Sequence, residues 1–73
     1  MDRTETVLDV VAEVSGRNRS EVTLEQDLVA DLEIDSPKAL QLLVQIEEKL
    51  EIEIPDEAAA RFEKVRDLVE FVT

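Results

Sequence analysis

The chain of 73 residues contains neither cysteine nor histidine. Without cysteine there is no disulfide framework and no thiolate nucleophile. Without either residue, a structural zinc site lacks its usual ligands. Ser–His and Cys–His nucleophilic pairs are excluded for the same reason. Glycine occurs once, at Gly16, and proline twice, and no repeat or low-complexity linker divides the chain. The only aromatics are Phe62 and Phe71, so the core must be aliphatic. Basic residues are scarce, with 8 Lys and Arg against 19 Asp and Glu and a formal net charge of −11. Such a surface repels nucleic acid, whose binding needs Lys and Arg to neutralise phosphates, and it repels anionic membranes. It attracts protein partners with basic surfaces and steers them in. No apolar run opens the chain as a signal peptide would, and none approaches the length of a membrane span. A soluble, cytoplasmic monomer that is not itself an enzyme is expected.

Apolar residues make up 44% of the chain, an ordinary globular content. The length allows one small domain, residues 1–73, with little core to spare. Val7, Val11 and Val14, with Leu8 and Val10 beside them, give helical periodicity from about Arg3 to Ser15. Asp2 and Glu5 have the spacing of a capping box, and Gly16 stands where a helix ends in a left-handed residue. Residues 17–35 form a connection long enough to suggest a function. Val22, Leu24, Leu28, Leu32 and Ile34 are anchors that would lay it across the core.

A second helix is expected to start after Ser36 and run to about Leu50 or Glu51. Ser36 is placed at its N-cap and Pro37 at its first helical position, so that Ser36→Ala would cost roughly 1 kcal/mol. Ile52–Pro55 breaks the chain, and Asp56 caps a short helix from Glu57 to about Arg61. Val65, Leu68, Val69 and Val72 mark a last helix. The fold class is all-α: a small four-helix bundle, three longer helices plus one short helix, with a long first loop.

At about 100° per residue, Ala39, Leu42, Leu43, Ile46 and Leu50 form the buried stripe of the second helix, with Leu40 and Glu47 at its edge. The opposite side carries Pro37, Gln41, Val44 and Glu48, flanked by Lys38 and Gln45. Apolar residues on a face that begins beside Ser36 point to a docking surface. The acids Asp27, Asp31, Glu33 and Asp35 do not form a calcium loop. An EF-hand needs Gly at position six and Glu at position twelve; starting at Asp27 these are Leu32 and Lys38, and starting at Asp31 they are Ser36 and Leu42. No metal site is expected. Arg17, Arg19 and Lys38 are too scattered for a phosphate or nucleic-acid site.

The segments "DLVADLEIDSP", "LLVQIEEKLEIEIPDE" and "VRDLVEFV", in this order and spacing, resemble the acyl carrier protein family over almost the whole chain. The family pattern has a D-S-L triplet opening the second helix, an L-x-x-D-L segment before it, and an "EIP"-like segment after an acidic helix end. The resemblance implies a non-catalytic carrier. A phosphopantetheinyl transferase would join the 4′-phosphopantetheine of coenzyme A to Ser36, and its thiol would carry acyl groups as thioesters. The cofactor would then bring the sulfur that the chain lacks. The resemblance implies recognition by the transferase and by basic-surfaced acyl-transfer, condensing or ligase enzymes through Asp35, Pro37, Lys38, Gln41, Val44, Glu47, Glu48, Asp56 and Glu57. It also implies an acyl-chain cavity rimmed by Leu40, Leu42, Ile46, Ile54, Ala59, Phe62 and Leu68. Asp31, Glu33 and Asp35 would repel the phosphate and keep the arm mobile.

Four positions depart from the family pattern. Glu33 replaces a usual glycine, and a positive φ there would strain it. Pro37 replaces the leucine after the serine. Lys38 and Gln41 stand where fatty-acid carriers are commonly acidic. Fatty-acid synthesis and a specialised polyketide, lipid or secondary-metabolite pathway both fit. Peptidyl or aminoacyl cargo is the alternative within carriers, and an acidic helical interaction module without cofactor is the alternative outside them.

Overall fold

The computed structural model describes residues 3–73. Helix α1 spans Arg3–Ser15, α2 Ser36–Leu50, α3 Asp56–Ala59 and α4 Val65–Val72, and a single 3₁₀ turn covers Arg19–Glu21. The all-α, four-helix expectation holds, with one isolated bridge between Asp27 and Lys64 as the sole β pairing among the described residues. Asp2, expected to cap α1, lies outside the described residues.

Helix α1 buries Val7, Leu8, Val10, Val11 and Ala12 and packs against both α2 and α4. Gly16 ends it with φ 74°, which a residue without Cβ adopts at no steric cost. The turn is closed by Arg17 N–H donating to the Ala12 carbonyl at 3.1 Å. From the start of α1, Arg3 Nη1 donates to the Val72 carbonyl at 2.8 Å. It satisfies an orphan carbonyl at the end of α4 and places a cation at that helix's negative pole.

The long connection is ordered by its own backbone and by carboxylates. Val22, Leu28, Leu32 and Ile34 are buried and Leu24 packs against them, so the anchors do hold the loop on the core. Asp27 organises its second half. Its Oδ1 accepts the N–H groups of Val29 and Ala30, both at 2.9 Å, and its carbonyl accepts those of Asp31 and Leu32, both at 3.1 Å. The loop is then sewn to the segment opening α4. Leu28 N–H donates to Glu63 O at 2.8 Å, Val65 N–H to Gln26 O at 3.1 Å, and Arg66 N–H to Leu24 O at 2.9 Å.

The core is purely aliphatic. Val7, Val11, Ile46, Val65 and Leu68 are fully buried, and no polar or charged residue among those described is buried. Helix α3 differs slightly from expectation. Asp56 lies inside its first turn rather than capping it; Pro55 is the N-cap and makes no side-chain bond. After Ala59 the chain continues as turns, through Arg61 N–H to Ala58 O and Phe62 N–H to Ala59 O.

At the start of α4, Asp67 Oδ2 accepts the N–H groups of Glu63 at 2.8 Å and Lys64 at 3.0 Å. The Lys64 bond first and the Glu63 bond second hold its pKa below 3.8. A depressed carboxyl pKa stabilises the fold above the unfolded value, and the contribution is lost as pH falls through the lower folded value. Asp67→Ala should therefore cost about 1–2 kcal/mol at neutral pH. In urea titrations the gap between wild type and variant should hold at neutral pH and shrink as pH falls through the carboxylate range toward the lowered folded value.

Candidate functional site

The site is the junction of the long loop with α2. Asp35, not Ser36, is the N-cap of this helix: its φ and ψ are −79° and −177°, and its Oδ1 accepts Lys38 N–H at 3.1 Å. Asp35 O also accepts Ala39 N–H at 2.7 Å. The expectation that Ser36 caps the helix is thus corrected by one residue. Both are capping types; with the Lys38 and Ala39 N–H groups both taken by Asp35, Ser36 becomes the first helical residue and Pro37 the second. The hydroxyl of Ser36 is exposed and makes no hydrogen bond among the described residues. It stands at the positive end of the longest helix, where an attached anion is tolerated.

The three acids ahead of Ser36 each have local work. Asp31 Oδ2 accepts Asp27 N–H at 2.7 Å. Glu33 lies 3.7 Å from Arg17 Nη2, and Asp35 caps α2. They hold the turn and the helix start as well as charging the ground beside Ser36. Glu33 has φ 55°, so the position that departs from the family's glycine does take the left-handed conformation.

Beneath the junction lies a cavity of about 80 Å³. Four residues expected there do line it: Leu42, Ala59, Phe62 and Leu68. Leu40, Ile46 and Ile54 do not. Leu40 is 65% exposed, because 100° of helix carries it from the inward position of Ala39 round to solvent. Ile46 and Ile54 are buried in the filled part of the core. The remaining wall comes from Leu28, Val29, Ile34, Ala39 and Leu43. Leu28 and Ile34 carried a signal as loop anchors, but only the folded loop brings them to Ala39. Val29, 68% exposed, stands at the rim. Phe62 closes one side, its ring edge-on to Phe71 at 5.6 Å.

Of the expected docking residues, Asp35, Pro37, Lys38, Gln41, Val44, Glu48, Asp56 and Glu57 are exposed. Leu40 joins this surface. Glu47 is half-buried, and its Oε2 accepts Ile54 N–H at 2.8 Å. Together with Glu47 O, which accepts the Ile52 N–H at 3.1 Å, it braces the turn at Glu51, φ 54°. Glu47 is thus committed within the chain.

The family described as the phosphopantetheine attachment site matches residues 5–72. The chain belongs to the acyl carrier protein family. It is 40% identical over 65 residues to an acyl carrier protein of Clostridium perfringens, spanning 89% of this chain and 86% of that one. It is 38% identical over 66 residues to the meromycolate extension acyl carrier protein of Mycobacterium leprae, spanning 90% of this chain and 57% of that one. Among solved structures, a candidate acyl carrier protein from Mycobacterium tuberculosis superposes with a TM-score of 0.87 at 28% identity, covering 93% of this chain and 90% of that one. The prosthetic group of this carrier is 4′-phosphopantetheine, and the chain is a non-catalytic bearer of acyl groups.

The revised helix start separates two adjacent substitutions. Asp35→Ala should lower stability by about 1 kcal/mol. Ser36→Ala, which removes an unbonded exposed hydroxyl, should stay within about 0.5 kcal/mol of wild type. Chemical denaturation of the unmodified carriers checks the order.

Proposed function

We propose that Ser36 is the attachment point of 4′-phosphopantetheine and that a phosphopantetheinyl transferase is the first enzyme the carrier meets. One observation carries this reading: Ser36 opens the longest helix, inside the matched region, with its hydroxyl exposed and unbonded. Ser15, by contrast, donates its hydroxyl to the Ala12 carbonyl at 3.3 Å, and Ser20 sits in a three-residue 3₁₀ turn. The junction suits the group, since a free hydroxyl meets the N-terminal pole of α2 and Lys38 lies exposed two residues along. Once attached, the group supplies the thiol on which acyl cargo is carried as a thioester.

The chain's own residues then shelter and present that cargo. Ala39 lies three residues along α2 from Ser36, under ~5 Å of helix rise, and it opens onto the apolar cavity. At about 80 Å³ the cavity is roughly half the ~150 Å³ of an apolar cavity that takes benzene. A short acyl chain fits as the core stands; a longer one must part α2 from α3. The apolar wall favours acyl over peptidyl or aminoacyl cargo. The mycobacterial relative, named for meromycolate extension, points the same way and leaves both fatty-acid and specialised pathways in view. Pro37, Leu40, Gln41 and Val44 form the contact face, with Glu48, Asp56 and Glu57 as its acidic margin for basic-surfaced acyl-transfer, condensing or ligase enzymes.

Intact mass after incubation with coenzyme A and a broad-specificity transferase tests the reading. Wild type should gain the mass of one 4′-phosphopantetheine, and Ser36→Ala should gain nothing. An acidic interaction module without cofactor would leave the wild type at its unmodified mass, and modification elsewhere would move the site.

A further inference from the structure

Glu33 holds a left-handed conformation, φ 55°, that L-residues with side chains adopt at a cost. Its neighbours cannot move to relieve it, because Leu32 and Ile34 are 1% and 2% exposed. Arg17 braces this turn from the end of α1. Its Nη2 donates to Asp31 O at 2.9 Å, and the same nitrogen lies 3.7 Å from Glu33 Oε2. The hydrogen bond is the stronger of the two contacts, because it is short and its donor is charged. The ion pair adds less, since the Glu33 side chain is 82% exposed. Arg17 does not swing free in solvent: its side chain is 34% exposed, and its Nε is buried without an acceptor.

The turn braced in this way leads directly to the site. Two residues after Glu33 is Asp35, whose carboxylate caps α2, and the next residue is Ser36. If Glu33 left its conformation, the intervening chain would have no slack to keep Asp35 over the Lys38 N–H. We propose that Arg17 is a positioning residue for the modification of Ser36, a latch from α1 that keeps the Asp31–Glu33 turn in the form that presents the serine. It substitutes for the freedom a glycine would have at position 33. The kinetic part of this proposal rests on Ser36 being the loaded residue; the structural part does not.

The test uses the unmodified full chain and the variants Arg17→Met, Glu33→Gly and both together. Arg17→Met keeps the stem's packing and removes both the bond to Asp31 and the orphaned Nε donor. In Arg17→Met, exchange of the hydrogen-bonded amides of Glu33, Ile34, Lys38 and Ala39 should quicken about fivefold, while exchange in the α1 core does not change. The transferase should show a raised KM for this carrier with kcat little changed. In the Glu33→Gly background, Arg17→Met should alter exchange and KM less than twofold, because glycine needs no brace. Unchanged exchange in Arg17→Met overturns the proposal, and so does an equal effect in both backgrounds. A raised KM with unchanged exchange also overturns it, since Arg17 would then be touching the transferase itself. If no variant, wild type included, gains mass at Ser36, the assignment of the loaded residue fails while the exchange data still judge the latch.

Discussion

The N–H of Leu28 donates to the carbonyl of Glu63 at 2.8 Å, and this main-chain pairing is the constraint on which the molecule's arrangement depends. With the flanking bonds from Val65 to Gln26 and from Arg66 to Leu24, it fastens the middle of the long loop to the base of α4. The loop thereby becomes a wall of the core. A domain this small cannot cover α1 and α4 with helices alone, so Val22, Leu28, Leu32 and Ile34 close the remaining side. Each contributes up to about 1.5–3 kcal/mol if fully removed from water, an upper bound given residual burial in the unfolded chain. The same fastening sets the end of the loop, and hence Ser36, above the cavity.

The acidity of the chain has two parts that composition does not separate. Some carboxylates shape turns in a sequence with one glycine. Glu21 accepts Asn18 N–H, Asp27 accepts those of Val29 and Ala30, and Asp31 accepts that of Asp27. Asp35, Glu47 and Asp67 likewise bind Lys38, Ile54, and the Glu63–Lys64 pair. Others, including Glu48, Asp56 and Glu57, are exposed and accept no main-chain proton among the described residues. The first group holds the fold; the second is available to steer basic partners. A carrier visits its enzymes in turn, and long-range attraction from free surface charge suits brief encounters better than a large apolar interface.

The helices were legible because each carries its own evidence. The valines of α1 and α4 recur at helical spacing, and Gly16 ends the first helix as its lack of Cβ permits. The stripe of Ala39, Leu42, Leu43, Ile46 and Leu50 does face inward, with Leu42 and Ile46 most buried. Legibility stopped where two residues of similar type stood side by side. Asp35 and Ser36 can each cap a helix, and only the hydrogen-bond register chose between them. Leu40 looked like a rim residue because hydrophobicity records type and not direction. Glu47 looked like a surface acid, since its partner, the Ile54 N–H, lies beyond a turn whose shape was not yet known.

The amino-acid sequence by itself determined the helices, the aliphatic core, the negative surface and the serine at a helix start, because these follow from periodicity, composition and a local family pattern. Tertiary structure alone decided which acid caps α2, which loop residues wall the cavity beside Ala39, and that Arg17 reaches the turn at Glu33. Those outcomes depend on contacts between segments far apart in the chain, and the geometry of such contacts exists only once the loop has been fastened across the core.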